Sequence, residues 1–204
     1  MPTPEPLVHV VDDESAIRDS LGMLLRSVGL KSRAYAGAQE FLESWHPQAA
    51  ECLVCDVRMP GMSGLELQEA LNARGANLPV VLITGHGDVA MAVRAMKAGA
   101  SDFIEKPFND QVLLDAVNRA LARARGGQGA GRAEVEARLE TLTPREREVL
   151  LLVVEGRPNK VVATRLGLST RTVEVHRAKV MEKMQARSLA ELVRMAILCG
   201  LMRA

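Results

Sequence analysis

Short apolar runs alternate with helical patterns through the first 124 residues, and this alternation constrains the fold more than any other feature of the chain. Four runs lie at Leu7–Val11, Cys52–Val57, Val80–Thr84 and Asp102–Lys106, with a weaker one at Lys31–Ala36. Helical periodicity covers 14–28, 37–45, 64–74, 88–98 and 109–124. Strands that alternate with helices favour an α/β doubly wound parallel five-stranded sheet with both faces covered. Ligands bind such sheets at the carboxyl ends of the strands, so we expect the functional residues there.

A glycine-rich stretch separates this pattern from the rest of the chain. Residues 125–131 contain four glycines, which disfavour a helix and predict a flexible hinge. Apolar residues then recur at helical spacing over 134–142, so we expect a short linker helix. We therefore predict two domains, at 1–124 and 142–204, joined by a hinge and linker at 125–141.

Strand patterns end before residue 142. After it, the sequence contains several closely spaced signals for the beginning and the end of a helix. Thr143-Pro144-Arg145-Glu146 is a capping box with proline at the first helical position. Asn159, Ser169 and Ser188 are each predicted to cap a further helix. The connection Gly167-Leu168-Ser169 joins two of these helices at the spacing of a helix-turn-helix, which predicts a small all-α helix-turn-helix domain.

Charged and hydroxyl side chains follow four of the predicted strands. Asp12 and Asp13 follow the first strand, Asp56 lies at the end of the third, Thr84 ends the fourth and Lys106 ends the fifth. Parallel strands bring these ends to one edge, where clustered carboxylates repel one another unless a cation joins them, and hard oxygen ligands select Mg²⁺. A carboxylate beside Mg²⁺, a hydroxyl and an ammonium can accept a phosphoryl group, because the cations neutralise charge on the transferring oxygens.

The formal charge is divided unevenly along the chain. Residues 1–124 carry −5 and residues 125–204 carry +6, within a total of +1. A basic helical module supplies the counterion release that binding to duplex DNA needs. In its predicted third helix, the residues expected to pack inward are Val173, Val180 and Met184. The residues expected to face a DNA groove are Glu174, Val175 and Ala178, and those expected at the phosphates are Lys160, Arg171, Arg177 and Lys179.

Composition excludes several other classes of protein. No run approaches the 18 apolar residues of a transmembrane helix, and the first residues lack the basic and apolar regions of a secretory signal. Three cysteines are too few for a disulfide scaffold and suit a reducing cytosol. No aromatic residue follows Phe108, which disfavours stacking of single-stranded bases in the basic half. We expect a cytoplasmic protein without a membrane partner.

Two sets of motifs resemble known families. Residues 7–124 resemble a response-regulator receiver domain in VDD at 11–13, DVRMPGMSG at 56–64, TGHG at 84–87 and DFIEKPF at 102–108. Residues 142–202 resemble a LuxR-type helix-turn-helix in LTPREREVL at 142–150, NK at 159–160 and TVEVHR at 172–177. In this order the two domains resemble the FixJ branch of the FixJ/NarL regulators.

The resemblance implies a role for each residue at the sheet edge. Asp56 would be the phosphoacceptor, and Thr84 and Lys106 would bind the phosphoryl oxygens. Phe103 would be the aromatic switch that turns inward with Thr84, and Lys106-Pro107 would be a cis peptide, an isomer that X–Pro bonds adopt at low cost. The Mg²⁺ ligands would be Asp12, Asp13, Asp56 and the backbone carbonyl of Arg58.

The resemblance also implies partners. A sensor histidine kinase would donate the phosphoryl group, and the phosphorylated chain would form a homodimer with Val93 and Lys97 as candidate contacts. Thr172 would join the residues that contact double-stranded DNA, and RNA polymerase is a further candidate partner.

The predicted function is that of a phosphorylation-dependent transcription regulator, in which phosphorylation drives receiver dimerisation and releases the DNA-binding domain. The chain would not be an enzyme beyond its own phosphoryl transfer and autodephosphorylation. Two other classes stay open: a phosphatase or phosphotransferase that acts on an external substrate through an aspartyl-phosphate, and a receiver whose output is protein contact alone. Turnover of an external phosphomonoester would favour the first, and failure to bind genomic DNA the second.

Overall fold

The structure is a computed structural model that describes residues 5–85, 88–124 and 132–202. By its internal contacts, this part of the chain forms two compact units. The first holds the described residues up to 85 together with 98–124, and the second holds 88–97 together with 132–202. Within these ranges, every helix is too short or too polar to cross a membrane.

The first unit is built on a parallel sheet. Its strands are β1 (Leu7–Val11), β2 (Lys31–Tyr35), β3 (Glu51–Asp56), β4 (Val80–Thr84) and β5 (Asp102–Glu105). The helices that alternate with them along the chain are α1 (Ser15–Ser27), α2 (Ala38–Ser44), α3 (Gly64–Ala73), α4 (Val89–Lys97) and α5 (Asp110–Ala124), of which α4 belongs by its contacts to the second unit. The strand order is β2-β1-β3-β4-β5. The predicted doubly wound fold is confirmed, with each strand end within one residue of its expected position.

One face of the sheet packs on α1 and α5. Successive side chains of a strand point to opposite faces, so Val8 and Val10 of β1 share a face. They form one buried cluster with Leu25 of α1 and with Leu113 and Val117 of α5. This cluster fixes the strands against α1 and α5 through one face of the sheet. The polar groups described below lie at the carboxyl ends of the strands.

The second unit contains the five C-terminal helices. They are α6 (Arg132–Glu140), α7 (Pro144–Val154), α8 (Asn159–Leu166), α9 (Thr170–Lys183) and α10 (Leu189–Leu198). The caps at Thr143, Ser169 and Ser188 are confirmed, because each hydroxyl accepts a hydrogen bond from a backbone N–H in the first turn of its helix. The inward face of α9 is also confirmed: its predicted core residues are at most 1% exposed, namely Val173, Val180 and Met184.

The expected cap at Asn159 is wrong. Pro158 is the N-cap of α8, with φ −61° and ψ 149°, and Asn159 is the first helical residue. Proline holds this φ without further help, and the Asn159 side chain is occupied elsewhere. Its Oδ1 accepts a hydrogen bond of 3.2 Å from Nη1 of Arg177 on α9. The asparagine therefore joins two helices instead of capping one.

The linker helix α6 is attached to the C-terminal end of α9. Val135 on α6 is 1% exposed. Nη1 of Arg138 donates to the carbonyl of Met184 at 3.2 Å, and Nζ of Lys183 donates to the carbonyl of Thr141 at 3.1 Å. These bonds occupy carbonyls that helix ends leave without helical partners. The predicted glycine-rich hinge at 125–131 lies outside the described residues, and the domain boundaries stay a prediction.

An ion pair between a buried carboxylate and a partly exposed lysine joins the end of α9 to the start of α7. Glu146 is 3% exposed, and its Oε2 lies 2.6 Å from Nζ of Lys183. The backbone N–H of Thr143 also donates to this carboxylate, at 2.9 Å. The Lys183 hydrogen bond, followed by that of Thr143, lowers the pKa of Glu146 to about 2. The charge on Glu146 is therefore fully compensated inside the helical unit.

Candidate functional site

The parallel register of the first unit brings two acidic residues together. Val11 on β1 is paired with Cys55 on β3. The next residues along the two strands, Asp12 and Asp56, are therefore neighbours at the carboxyl edge. The strand order reverses between β1 and β3, and this is the position where sheets of this kind bind ligands.

Lys106 joins these two acidic side chains. Its Nζ lies 2.8 Å from Oδ1 of Asp56 and 3.2 Å from Oδ2 of Asp12. Both carboxylates are buried, with Asp12 1% and Asp56 6% exposed. The backbone N–H of Arg58 donates to Oδ2 of Asp56 at 2.6 Å, and that of Glu14 donates to Oδ1 of Asp12 at 2.9 Å. Each carboxylate is thus held by the ammonium on one oxygen and by a backbone amide on the other.

The charges in this cluster do not balance. Burial raises the pKa of Asp12 above its ordinary value, although the N–H of Glu14 and the charge of Lys106 act in the opposite direction. Burial by itself would lower the pKa of Lys106, but its hydrogen bond to Asp56 and the charges of both carboxylates outweigh burial and raise it. One ammonium shared by two buried carboxylates leaves negative charge that a second cation would compensate.

This donor set fits a divalent cation bound by oxygen, because carboxylates are ligands that Mg²⁺ prefers. Asp13, the third predicted carboxylate, is exposed in the turn after β1. The described ranges contain no group of three or more His, Cys, Asp or Glu side chains that could hold a metal ion. The complete ligand set, with the carbonyl of Arg58, therefore stays a prediction.

Thr84 and Phe103 occupy the neighbouring strands. Thr84 is fully buried at the end of β4, and its carbonyl accepts a hydrogen bond of 2.7 Å from the backbone N–H of Lys106. The peptide bond between Lys106 and Pro107 is cis, as the resemblance implies. Phe103 is paired with Leu82 across β5 and β4 and is 8% exposed. Their roles toward a phosphoryl group stay predictions.

Two further residues shape this edge, and sequence reasoning did not identify what they do. A Cβ at Gly64 would lie 2.3 Å from the carbonyl oxygen of Asp56, so only glycine lets α3 begin against that backbone. Nη1 of Arg18 on α1 donates to the carbonyls of Asp12 and Asp13, at 2.7 and 2.9 Å. Gly64 stood within a quoted motif, but the need for glycine is visible only in three dimensions. No periodicity or motif pointed to Arg18.

Helices α8 and α9 of the second unit form the predicted helix-turn-helix. Gly167 between them has φ +63°, a left-handed conformation that glycine adopts without strain. The next helix starts at once, with Ser169 as its cap. On α9, the residues predicted to face a groove are all exposed, namely Glu174, Val175 and Ala178. Val175 is 50% exposed, so this face carries an accessible apolar side chain.

The residues predicted to contact phosphates fall into two groups. Lys160, Arg171 and Lys179 are exposed. Arg177 and Thr172 are half-buried and already have partners, because Arg177 binds Asn159 and Oγ1 of Thr172 lies 2.8 Å from Oγ of Ser169. Of the predicted dimer contacts, Lys97 is exposed, whereas Val93 is buried at 4% exposure.

Two family models match the chain. Residues 8–118 match the response regulator receiver domain, and residues 140–196 match bacterial regulatory proteins of the luxR family. The chain is 54% identical over 200 residues to the transcriptional regulatory protein FixJ of Azorhizobium caulinodans, covering 97% of this chain and 95% of that protein. It is 49% identical over 195 residues to FixJ of Rhizobium meliloti, covering 95% and 96%.

Solved structures agree with these relatives. Full-length FixJ from B. japonicum is similar with a TM-score of 0.57 at 43% identity, covering 98% of this chain and all of that one. The response regulator StyR is similar with a TM-score of 0.56 at 45% identity, covering 95% and 98%. The chain therefore belongs to the FixJ-like response regulators, in which a receiver domain and a LuxR-type DNA-binding domain make transcription control dependent on phosphorylation.

Proposed function

We propose that Asp56 accepts a phosphoryl group from a sensor histidine kinase. The observation that carries this proposal is the buried cluster in which Nζ of Lys106 contacts both Asp56 and Asp12. In the transfer, a carboxylate oxygen of Asp56 bonds to phosphorus while the phosphorus–nitrogen bond of phosphohistidine breaks, and the released nitrogen takes up a proton from solvent water to leave as neutral imidazole. Autodephosphorylation is attack by water on the same phosphorus, which releases inorganic phosphate and restores the carboxylate.

The neighbours of Asp56 provide charge and orientation for this reaction. Lys106 and Thr84 would bind the phosphoryl oxygens, and the N–H of Arg58 orients the acceptor carboxylate. When bound, Mg²⁺ supplies further neutralisation of the transferring oxygens. Its proposed ligands are Asp12, Asp13, Asp56 and the backbone carbonyl of Arg58. Phe103 would occupy the space that Thr84 leaves when it turns toward the phosphoryl group.

Labelling of the full chain with acetyl phosphate tests the acceptor. The wild type and Asp19→Asn, which changes an exposed carboxylate on α1, should be labelled in the presence of Mg²⁺. Asp56→Asn should fold and remain unlabelled, and undiminished labelling of that variant would contradict the assignment. Turnover of an external phosphomonoester that is lost in Asp56→Asn would instead favour a phosphatase.

The proposed DNA-binding surface is the exposed face of α9 together with nearby basic residues. Glu174 can accept from cytosine N4, and Val175 and Ala178 can contact thymine methyl groups. The backbone contacts proposed are Lys160, Arg171, Thr172, Arg177 and Lys179. The exposure of Val175 supports this surface, because its methyl groups are accessible for contact with thymine.

Binding of the phosphorylated full chain to genomic DNA fragments, measured by fluorescence anisotropy at stated salt, tests this surface. Val175→Glu should weaken binding at least about tenfold, since it places a carboxylate in a negatively charged groove. Leu151→Glu, an exposed apolar residue on α7 (36% exposed), is the matched control and should bind as the wild type. An equal loss of DNA affinity in both variants would contradict the proposal that this face of α9 binds DNA. Absence of binding by the wild type would favour a regulator that works by protein contact alone.

Phosphorylation is proposed to drive dimerisation of the receiver and to release the DNA-binding domain in the cytoplasm, with RNA polymerase as a further partner. Lys97 is available for such a contact, but Val93 is buried, so pairing through it requires a rearrangement around α4. Sedimentation with and without beryllium fluoride, a phosphoryl mimic, should show a monomer becoming a dimer. A monomer under both conditions would contradict the dimer.

A further inference from the structure

Arg18 makes contacts that none of the roles above explains. It lies on the first turn of α1 and is half-buried. Its Nη1 donates to the backbone carbonyls of Asp12, at 2.7 Å, and of Asp13, at 2.9 Å. A single guanidinium thus holds two consecutive peptide units, those of the two acidic residues that follow β1.

These two bonds fix the part of the turn that other contacts leave open. The backbone N–H of Asp12 donates to the carbonyl of Tyr35 at 3.3 Å, and its carboxylate is oriented by Glu14 and Lys106. Asp13 is exposed, and its carbonyl is held by Arg18. The direction in which the Asp13 carboxylate projects therefore depends on the hydrogen bonds from Arg18 to this turn.

Arg18 acts through geometry and not through compensation of charge. The edge carries the carboxylates of Asp12, Asp13 and Asp56, and the ammonium of Lys106 is the cation that contacts two of them. The contacts of Arg18 are with backbone carbonyls and not with the carboxylates, so what Arg18 fixes is the geometry of the turn. The planar donors of an arginine restrict orientation more than the ammonium of a lysine would.

We propose that Arg18 is a positioning residue for the divalent cation: it holds the Asp12–Asp13 turn in the arrangement that presents both carboxylates to Mg²⁺. The inference rests on the proposed function in that the cation serves phosphoryl transfer to Asp56. Residues that orient metal ligands typically change metal affinity 10- to 100-fold when they are removed. Arg18 touches neither the phosphoryl group nor the cation, so its effect is on binding of the metal and not on the transfer step.

The test compares the full-length wild type with Arg18→Ala, Arg18→Lys and Arg26→Ala. Arg26 is an exposed arginine two turns further along α1, and it provides the matched control. Mg²⁺ alone is titrated into ¹⁵N-labelled protein, and the backbone amide signals of Asp13 and Glu14 report binding at the site. Arg18→Ala should bind Mg²⁺ about tenfold more weakly, Arg18→Lys should recover part of the loss, and Arg26→Ala should match the wild type.

A second measurement separates positioning from a general loss of structure. The rate of labelling by acetyl phosphate is measured against Mg²⁺ concentration. In Arg18→Ala the half-saturating Mg²⁺ concentration should rise about tenfold, while the rate at saturating Mg²⁺ stays within about twofold of the wild type. If Arg18→Ala proves unstable, Arg18→Lys carries both measurements, and an intermediate Mg²⁺ affinity is then expected.

Unchanged Mg²⁺ affinity in Arg18→Ala, or the same loss in Arg26→Ala, would overturn the proposal. A fall in the saturated rate with unchanged half-saturation would also overturn it, because Arg18 would then act on the reaction itself. The titration is independent of labelling at Asp56. If the wild type binds Mg²⁺ but Asp56→Asn is still labelled, the assignment of Asp56 fails while the role of Arg18 toward the cation stands.

Discussion

In both units a partly exposed lysine contacts buried carboxylate groups, but the charges are arranged differently. In the first unit, one ammonium, that of Lys106, serves two buried carboxylates, Asp12 and Asp56. In the second unit, Lys183 serves a single carboxylate, Glu146, which also accepts a backbone N–H. The first cluster retains negative charge and the second does not. A surplus of buried charge marks a place built for a charged ligand, whereas a balanced pair serves the fold.

The proposed functional sites of the two units also differ in how far their side chains are exposed. At the proposed phosphoryl-transfer site, the side chains of Asp12, Asp56 and Thr84 are buried, and each of the two carboxylates is held by Lys106 and by a backbone N–H. The groups proposed for reading DNA are exposed on α9. Chemistry on one small group requires fixed, desolvated partners, whereas contact with a long polymer requires an accessible face.

The largest effect is expected from Gly64→Ala. The new Cβ would lie 2.3 Å from the Asp56 carbonyl, which is backbone and cannot rotate away. We expect a loss of about 3 kcal/mol in the free energy of unfolding, as overpacking of a tight site costs. Gly37→Ala is the control, because its Cβ meets nothing within 4 Å and its φ of −172° suits any residue. Urea unfolding followed by circular dichroism measures both, and equal stability of the two variants would show that α3 can move away from the site.

Lys183→Met should cost about 2 kcal/mol in the free energy of unfolding. Removing one partner leaves the Glu146 carboxylate buried without its cation, and the usual penalty is reduced here because the Lys183 side chain is 33% exposed. Lys106→Met, measured in excess Mg²⁺, should lose less, because a divalent cation can compensate Asp12 and Asp56. Urea unfolding measures the stability of both variants. If Lys106→Met is the less stable of the two, the proposed difference between a cation-binding cluster and a balanced structural pair is contradicted.

The smallest effect is expected from acid. The pKa of Glu146 is about 2 in the folded protein and near 4.5 in an unfolded chain, so the folded state favours its charged form. Its stabilisation is complete above pH 4.5 and is lost as the pH falls from 4.5 toward 2. Between pH 6 and pH 4, the wild type should lose about 1 kcal/mol more unfolding free energy than Glu146→Gln. Parallel pH profiles of the two proteins would mean that the carboxylate is not stabilised by Lys183.

The sheet edge could be predicted because strands are local and parallel pairing is regular. Once the apolar runs are placed, the strand ends put Asp12, Asp56 and Lys106 together, and the contacts in the structure agree. The caps at Ser169 and Ser188 could also be predicted, because they depend on local contacts: each hydroxyl accepts a hydrogen bond from a backbone N–H three residues further along the chain.

Contacts between distant residues could not be predicted in this way. Asn159 has the composition of a cap, but Arg177, which lies 18 residues further along the chain, binds its side chain. The pairing of Glu146 with Lys183 spans 37 residues and leaves no periodic trace. The contacts of Arg18 depend on the conformation of a long side chain, and the need for glycine at position 64 depends on how closely α3 approaches β3.

The attachment of α6 to α9 has a consequence for how such chains exchange parts. A crossover at residue 142 that brought in a foreign receiver would discard Arg138 and Thr141, and with them the donor to the Met184 carbonyl and the acceptor for Lys183. The incoming segment would then have to supply both groups or leave the C-terminal end of α9 to be hydrogen-bonded by water. Recombination, whether natural or by design, therefore keeps these contacts of the helical unit when the junction falls before Val135, so that the linker helix stays with the helices that it contacts.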